Sequence, residues 1–339
     1  MRDFLVTDAT ALKIWGNQIP LAEFNRHAAA LNPDRAKRSR SYTPNRLRAI
    51  RQSAGLMPVR PEAGRPYVIT VNSAKGGVGK TLMAANLAVI FTVMGYRVLV
   101  IDGDPQSSCT AIFGYESYEQ GLTLKNLLLT DEKLPLESAL HHVYNDGSLA
   151  LLGSRDRELE DLELALGSAH EGPVHMAAFY ERYADELKQY DIIVVDTNPW
   201  TPRLNAAYTF ASDYIMVPAD LEGFSIRTLN NFIDKLQRRA RNPFTQSGYK
   251  AEVKLVANRF EKNRVERLEN FAVLRQSYAD ALMPVYIPNS PAFLKQGRVA
   301  LKESRPLAES DSTSPGIAAM HALAQCMETD LFAGATHGR

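Results

Sequence analysis

Residues 74–81 read Ala-Lys-Gly-Gly-Val-Gly-Lys-Thr, and no other stretch constrains the fold as tightly. The apolar run 67–72 precedes it, and a segment with helical spacing, 80–94, follows it. Gly76, Gly77 and Gly79 let backbone N–H groups close around phosphate oxygens. A helix starting at once adds the positive end of its dipole. Lys80 is then placed for terminal phosphates, and the Thr81 hydroxyl for a Mg2+ ion. A strand, a tight loop and a helix must meet here to present these groups together. Position 74 is Ala where the ordinary phosphate loop, G-x-x-x-x-G-K-T, begins with Gly. A second lysine, Lys75, stands five residues before Lys80.

The rest of the chain repeats the same alternation. Strands are expected at 67–72, 97–102, 149–153, 191–196, 213–218, 252–257 and 283–287, with helical segments at 80–94, 175–189, 223–241 and 263–281. Short apolar runs between helices predict an α/β fold, a mostly parallel doubly wound sheet flanked by helices. Ligands in such sheets sit at the carboxyl ends of strands. Two of those ends carry acids. One is Asp102-Gly103-Asp104-Pro105-Gln106, which taken by itself reads equally well as a turn. The other is Asp196, after the apolar run 192–195, a buried strand that would carry a carboxylate to a Mg2+ shell.

Lys75 to Thr81, K-G-G-V-G-K-T, resembles the deviant Walker A box of the ParA/MinD/nitrogenase-iron-protein group of P-loop ATPases. D-G-D-P-Q resembles that group's D-x-D-P-Q box, and Asp196-Thr197-Asn198-Pro199 its D-T-P-P. The layout is similar over about 67–330, and three motifs carry the specificity. The resemblance implies ATP and Mg2+ as cofactors, with Lys75, Gly76, Gly77, Val78, Gly79, Lys80, Thr81 and Leu82 around the nucleotide. It implies a homodimer on ATP binding, in which Lys75 reaches the partner's nucleotide. Lys75, Lys80 and Asp104 would be the catalytic residues, Thr81, Asp104 and Asp196 the metal site, and Asp102 a brace for the loop. Asn258 lies where the group tends to contact adenine; a turn asparagine is the plain alternative. The sequence departs from the group at Ser107-Ser108, where Gly-Asn is usual, and at Asn198 and Trp200.

Charge divides the chain unevenly. Residues 1–65 hold 12 Lys or Arg against five Asp or Glu, although the whole chain carries only +1. From Arg35 to Arg51, seven basic residues occur without an acid. Such a patch is an electrostatic footprint for phosphate backbones, or else a solvated basic arm. A basic helical module is expected over 1–54, with helices over 21–31 and after Thr43-Pro44, a linker at 55–66, and the ATPase domain over 67–339. The module resembles the segment ahead of the ATPase domain in larger plasmid-type ParA proteins, which implies operator binding. Candidate DNA contacts are Arg46, Arg48 and Arg51, and, on the ATPase domain, Arg259, Arg264, Arg267, Lys295 and Arg298.

The function expected from the resemblance is DNA partition. An ATP-bound dimer would hold DNA non-specifically and let go on hydrolysis stimulated by a ParB-like centromere-binding protein, in the cytoplasm at the nucleoid. The alternatives are a MinD-like positioning ATPase on a membrane and a nucleotide-regulated transcriptional repressor. A membrane partner is disfavoured, because the apolar stripe of 315–333 has no Lys or Arg beside it to meet anionic lipid. No signal-peptide pattern opens the chain. Two cysteines, Cys109 and Cys326, support neither a disulfide framework nor a cluster carrier.

Overall fold

The computed structural model describes all residues except 32–40, 59–63, 116–120, 156, 167–173, 223–225, 241–248, 250–251, 297–303, 312 and 333–339. Strand β1 (Val6–Thr7) leads into helices α1 (Asp8–Ile14) and α2 (Leu21–Leu31). Strand β2 (Ser41–Tyr42) pairs antiparallel with β1, and α3 (Pro44–Ser53) follows. Thr43 caps α3 by accepting from the Arg46 N–H, with Pro44 in the first turn.

The main sheet begins with β3 (Tyr67–Val71), α4 (Lys80–Val93) and β4 (Val98–Gly103). Next come α5 (Ser108–Ile112), α6 (Leu124–Leu129), β5 (Leu140–His142) and β6 (Leu149–Leu152). After α7 (Glu158–Ala165), α8 (Val174–Arg182) and α9 (Ala184–Leu187), the chain forms β7 (Ile192–Thr197) and α10 (Pro202–Phe210). It continues through β8 (Tyr214–Asp220), α11 (Ile226–Ala240), β9 (Glu252–Phe260), α12 (Val265–Ser277) and β10 (Leu282–Pro288). Helices α13 (Pro291–Gln296), α14 (Leu307–Ser310) and α15 (Pro315–Phe332) close it.

The strand order is β10-β9-β8-β3-β7-β4-β6-β5. Every pairing is parallel except β5 with β6. All seven expected strands are present; β5 was not expected, because three residues carry no readable periodicity. The register brings three strand ends into line. Val71 pairs with Asp196, Asp102 with Asp196, and Gly103 with Thr197. The motifs at these ends therefore converge on one edge of the sheet. Among the described residues, no helix is long and apolar enough to cross a membrane.

The N-terminal helices and the helices of the main sheet share a core. Ala11, Ile14, Trp15, Phe24, Leu47 and Ile50 are buried in the same cluster as α4 and α15. The contact centres on the far end of α4. Gly95, at φ +85°, closes that helix, with Tyr96 N–H donating to Phe91 and Gly95 N–H to Thr92. Carbonyls beyond these need other donors. Trp15 Nε1 donates to the Val93 carbonyl at 2.8 Å, Arg51 to the Met94 carbonyl, and Arg48 to the Gly95 carbonyl at 2.7 Å. Two cations thus sit at the negative end of the α4 dipole.

Those contacts correct the DNA-facing assignment of two arginines. Arg51 is 0% exposed and pairs with Glu328 of α15 at 2.9 Å, with Tyr96 bonded to the same carboxylate. Arg48 pairs with Asp191. Both face inward because buried acids lie across from them. Arg46 lies against the Tyr42 ring and donates to the Ala28 carbonyl. The remaining basic residues of 35–40 lie outside the described residues. Helix α15 buries Ile317, Met320, Leu323, Ala324 and Met327 in the shared core, so its apolar stripe faces its own domain.

Candidate active site

The phosphate loop hangs between β3 and α4. Gly77 and Gly79 take φ of +72° and +87°, and Gly79 opens α4 in the left-handed region. A Cβ added at Gly76 or Gly77 would meet nothing within 4 Å, so the loop surrounds open space. Its shape is held from behind. Ser73 Oγ donates to the Lys75 carbonyl at 2.7 Å, and Thr197 Oγ1 donates to the Val71 carbonyl at 2.8 Å. Asn258 Nδ2 donates to the Val78 carbonyl at 2.6 Å.

The two lysines differ sharply. Lys80 is 7% exposed, whereas Lys75 is exposed. Burial lowers the Lys80 pKa, and the Asp196 and Asp104 carboxylates oppose that shift. Asp196 is fully buried, and no donor meets its oxygens at full hydrogen-bond geometry, with the Thr81 hydroxyl beside them. Burial first, then Asp102, pushes its pKa well above the carboxylate range; the Thr81 hydroxyl and Lys80 pull the other way. A buried carboxylate beside a threonine hydroxyl supplies oxygen donors for a cation held jointly with phosphate oxygens, and the neighbouring Lys80 is a counter-charge for those phosphates. The residues therefore fit Mg2+ together with a nucleotide.

The other acids divide their tasks. Asp102 accepts from the Asp104 N–H at 3.1 Å, the Thr110 N–H at 2.7 Å and Thr110 Oγ1 at 2.6 Å. It ties the start of α5 to the end of β4; burial raises its pKa to about 6, against those three bonds. Asp104 Oδ1 accepts from the Gln106 N–H at 2.9 Å and from Asn198 Nδ2 at 2.7 Å. Gly103, between them, is needed for space: a Cβ there would lie 2.5 Å from the Asp196 carbonyl oxygen and against Tyr208. Cys109 is buried in the core at the start of α5.

Beside Gly79 a pocket is lined by Leu82, Met83, Ile287 and Phe293, with Asn258 and Asn289 at its polar edge. Arg259 follows Asn258 at φ +53°. Its guanidinium donates to the Gly77 carbonyl at 2.5 Å and pairs with Asp220 at 3.2 Å. Arg267 is buried between Glu222 and Glu261 and donates to the Arg259 carbonyl. Arg267, with 11% of its side chain exposed, is held within the scaffold behind the phosphate loop and not on a DNA-facing surface, whereas Arg259 braces the loop and keeps 38% of its side chain exposed. Arg264 keeps 70% of its side chain exposed, paired loosely with Glu261 at 3.4 Å. Lys295 lies on α13, and Arg298 lies outside the described residues. The role of Asn198 was missed in the sequence, although its departure from D-T-P-P pointed to it.

Residues 67–246 match the family model AAA_31, described as an AAA domain. The match covers more than half of the chain. The chain belongs to this family. Within it, the nucleotide-site motifs resemble those of ParA-type partition ATPases. The cell division protein PomZ of Myxococcus xanthus is 27% identical over 283 residues, 82% of each chain. A putative replication protein A of Rhizobium rhizogenes is 30% identical over 187 residues, 52% of this chain and 46% of that one. Among solved structures, an ATP complex of Cyanothece McdA superposes with a TM-score of 0.61 at 19% identity, covering 77% of this chain and 95% of that one. A putative plasmid partition protein of Borrelia burgdorferi bound to AMPPNP gives 0.58 at 24% identity, covering 79% and 99%. At these identities the superpositions speak for the shared AAA-domain fold.

Proposed function

We propose that this AAA domain is a Mg2+-dependent ATPase of the partition or positioning class, acting on DNA as an ATP-bound homodimer. The contrast between the two loop lysines carries the reading. Lys80 is buried among the site's own carboxylates, where it serves the nucleotide of its own chain. Lys75 is exposed on the same loop, as a lysine meant for a second molecule's nucleotide would be. The names of the relatives support the class: a cell division protein, a replication protein and a plasmid partition protein.

In this reading the N–H groups of 76–81 cradle the β- and γ-phosphates of ATP. Thr81 and Asp196 hold Mg2+, with Asp104 at the edge of its shell, and the ion neutralises phosphate charge. Lys80 and the partner's Lys75 stabilise charge on the transferred group, and Asp104 orients the attacking water. Adenine takes the pocket beside Gly79, with Asn258 at its edge. Arg264 belongs to the DNA-facing surface, and a ParB-like protein accelerates turnover. A cytoplasmic, nucleoid-associated location follows from these partners.

The test is binding to non-specific double-stranded DNA with ATP, with ADP and without nucleotide, over a range of salt. ATP-dependent binding that weakens steeply with salt and is lost in Lys80→Ala is the expected result. Equal binding in all three states would overturn the switch.

A further inference from the structure

Asn198 replaces a proline of the related motif, and every polar group of its side chain is used. Its Nδ2 donates to Asp104 Oδ1 at 2.7 Å, and its Oδ1 accepts the Trp200 N–H at 2.9 Å. A backbone N–H can only donate, so this bond decides which end of the amide faces Asp104. The Asn198 carbonyl accepts from Thr201 Oγ1 at 3.1 Å and from Asn205 Nδ2 at 2.5 Å, which anchors the residue to α10. Proline could make neither side-chain bond. Both bonds to Asp104 fall on Oδ1. One amide group therefore joins a carboxylate of the site to the loop that carries Trp200, an indole 83% exposed.

We propose that Asn198 is a positioning residue for Asp104, and that it ties the orientation of that carboxylate to the Trp200 loop. The inference rests on the ATPase reading above. A change at the γ-phosphate side of the site moves Asp104, and the amide transmits that movement to the surface. The chain holds two tryptophans, and Trp15 is 1% exposed, so acrylamide-quenchable emission belongs to Trp200.

Two variants of the full chain separate the bonds. Asn198→Asp keeps an acceptor for the Trp200 N–H but sets a carboxylate against Asp104. Asn198→Ser keeps a hydroxyl able to donate to Asp104. Steady-state hydrolysis, ATP affinity and Trp200 quenching are measured with ATP, ADP and no nucleotide. For Asn198→Asp, kcat is expected to fall about ten- to hundredfold, the size of a lost hydrogen bond to a charged group. Its Kd for ATP should stay within about threefold, because the loss falls on the transition state. Asn198→Ser should recover most of kcat. Wild-type quenching should differ between ATP and ADP, and that difference should vanish in Asn198→Asp. An unchanged kcat in Asn198→Asp, or a loss of ATP affinity matching the loss of kcat, would overturn the positioning role. Quenching that ignores the nucleotide in the wild type would overturn the tie to Trp200. A wild type that binds ATP without hydrolysing it would sink the ATPase reading instead; the quenching difference, kept or lost in Asn198→Asp, would still decide the tie.

Discussion

At the phosphate loop, Lys80 faces Asp196, whose two oxygens meet no donor at full hydrogen-bond geometry, and Lys75 stands exposed. In α3, Arg48 and Arg51 end on Asp191, Glu328 and two carbonyls that close α4. The two regions are alike in composition and opposite in use. Cations that find partners inside the fold hold it together. Cations beside an acid with no full hydrogen bond, or left in solvent, mark where a ligand belongs.

The largest effect that could break this contrast is at Lys80. Lys80→Ala should lower ATP hydrolysis by about two to three orders of magnitude, as loss of a charge-stabilising group does. Lys75→Ala should lose hydrolysis comparably, yet bind a fluorescent ATP analogue nearly as wild type. Equal loss of affinity in both variants would erase the difference between the lysines.

On the other side, Arg51→Ala leaves Glu328 buried without its cation. Unfolding by urea should show a loss of about 3–5 kcal/mol, the usual cost of breaking a buried pair. A loss below about 1 kcal/mol would show that Arg51 is not a structural cation.

Acid should act on the same layer through His321, whose two ring nitrogens have no partner. Burial, then Lys13, lowers its pKa to about 4 from 6.5. The unfolded chain takes up a proton between those values while the folded chain does not. Its contribution is therefore full above pH 6.5 and lost as pH falls towards 4, by about 3 kcal/mol in all. His321→Leu should flatten the fall in melting temperature over that window; an unchanged slope would count against it. The smallest effect belongs to Arg264→Ala. It should change stability by less than about 0.5 kcal/mol and lower the salt slope of DNA binding by about one.

What could be read in advance followed from local pattern. The strands from β3 to β10 have four or more apolar-rich residues each, apart from the three-residue β5, and the loop glycines stand beside a helix start. The arginines of α3 misled for a physical reason. Nothing within 46–51 shows that Asp191 and Glu328, 143 and 277 residues away, are their partners. An acid inside the apolar stripe of α15 was the available signal, since a buried Glu needs a cation. Asn198 was visible as a departure from the motif, but its bond to Asp104 depends on the register of β4 against β7.

The donors that close α4 have a mechanical consequence. A helix of 14 residues is about 21 Å long at 1.5 Å per residue. Lys80 and Thr81 ride on one tip, and Trp15, Arg48 and Arg51 clamp the other. With the clamp loosened, a pivot of about 3° would swing the phosphate end by about 1 Å, enough misalignment to cost about a hundredfold in rate. Trp15, Arg48 and Arg51 therefore hold the far end of the helix whose near end carries Lys80 and Thr81. A shortened chain that still folds would be expected to hold its nucleotide and fire it badly.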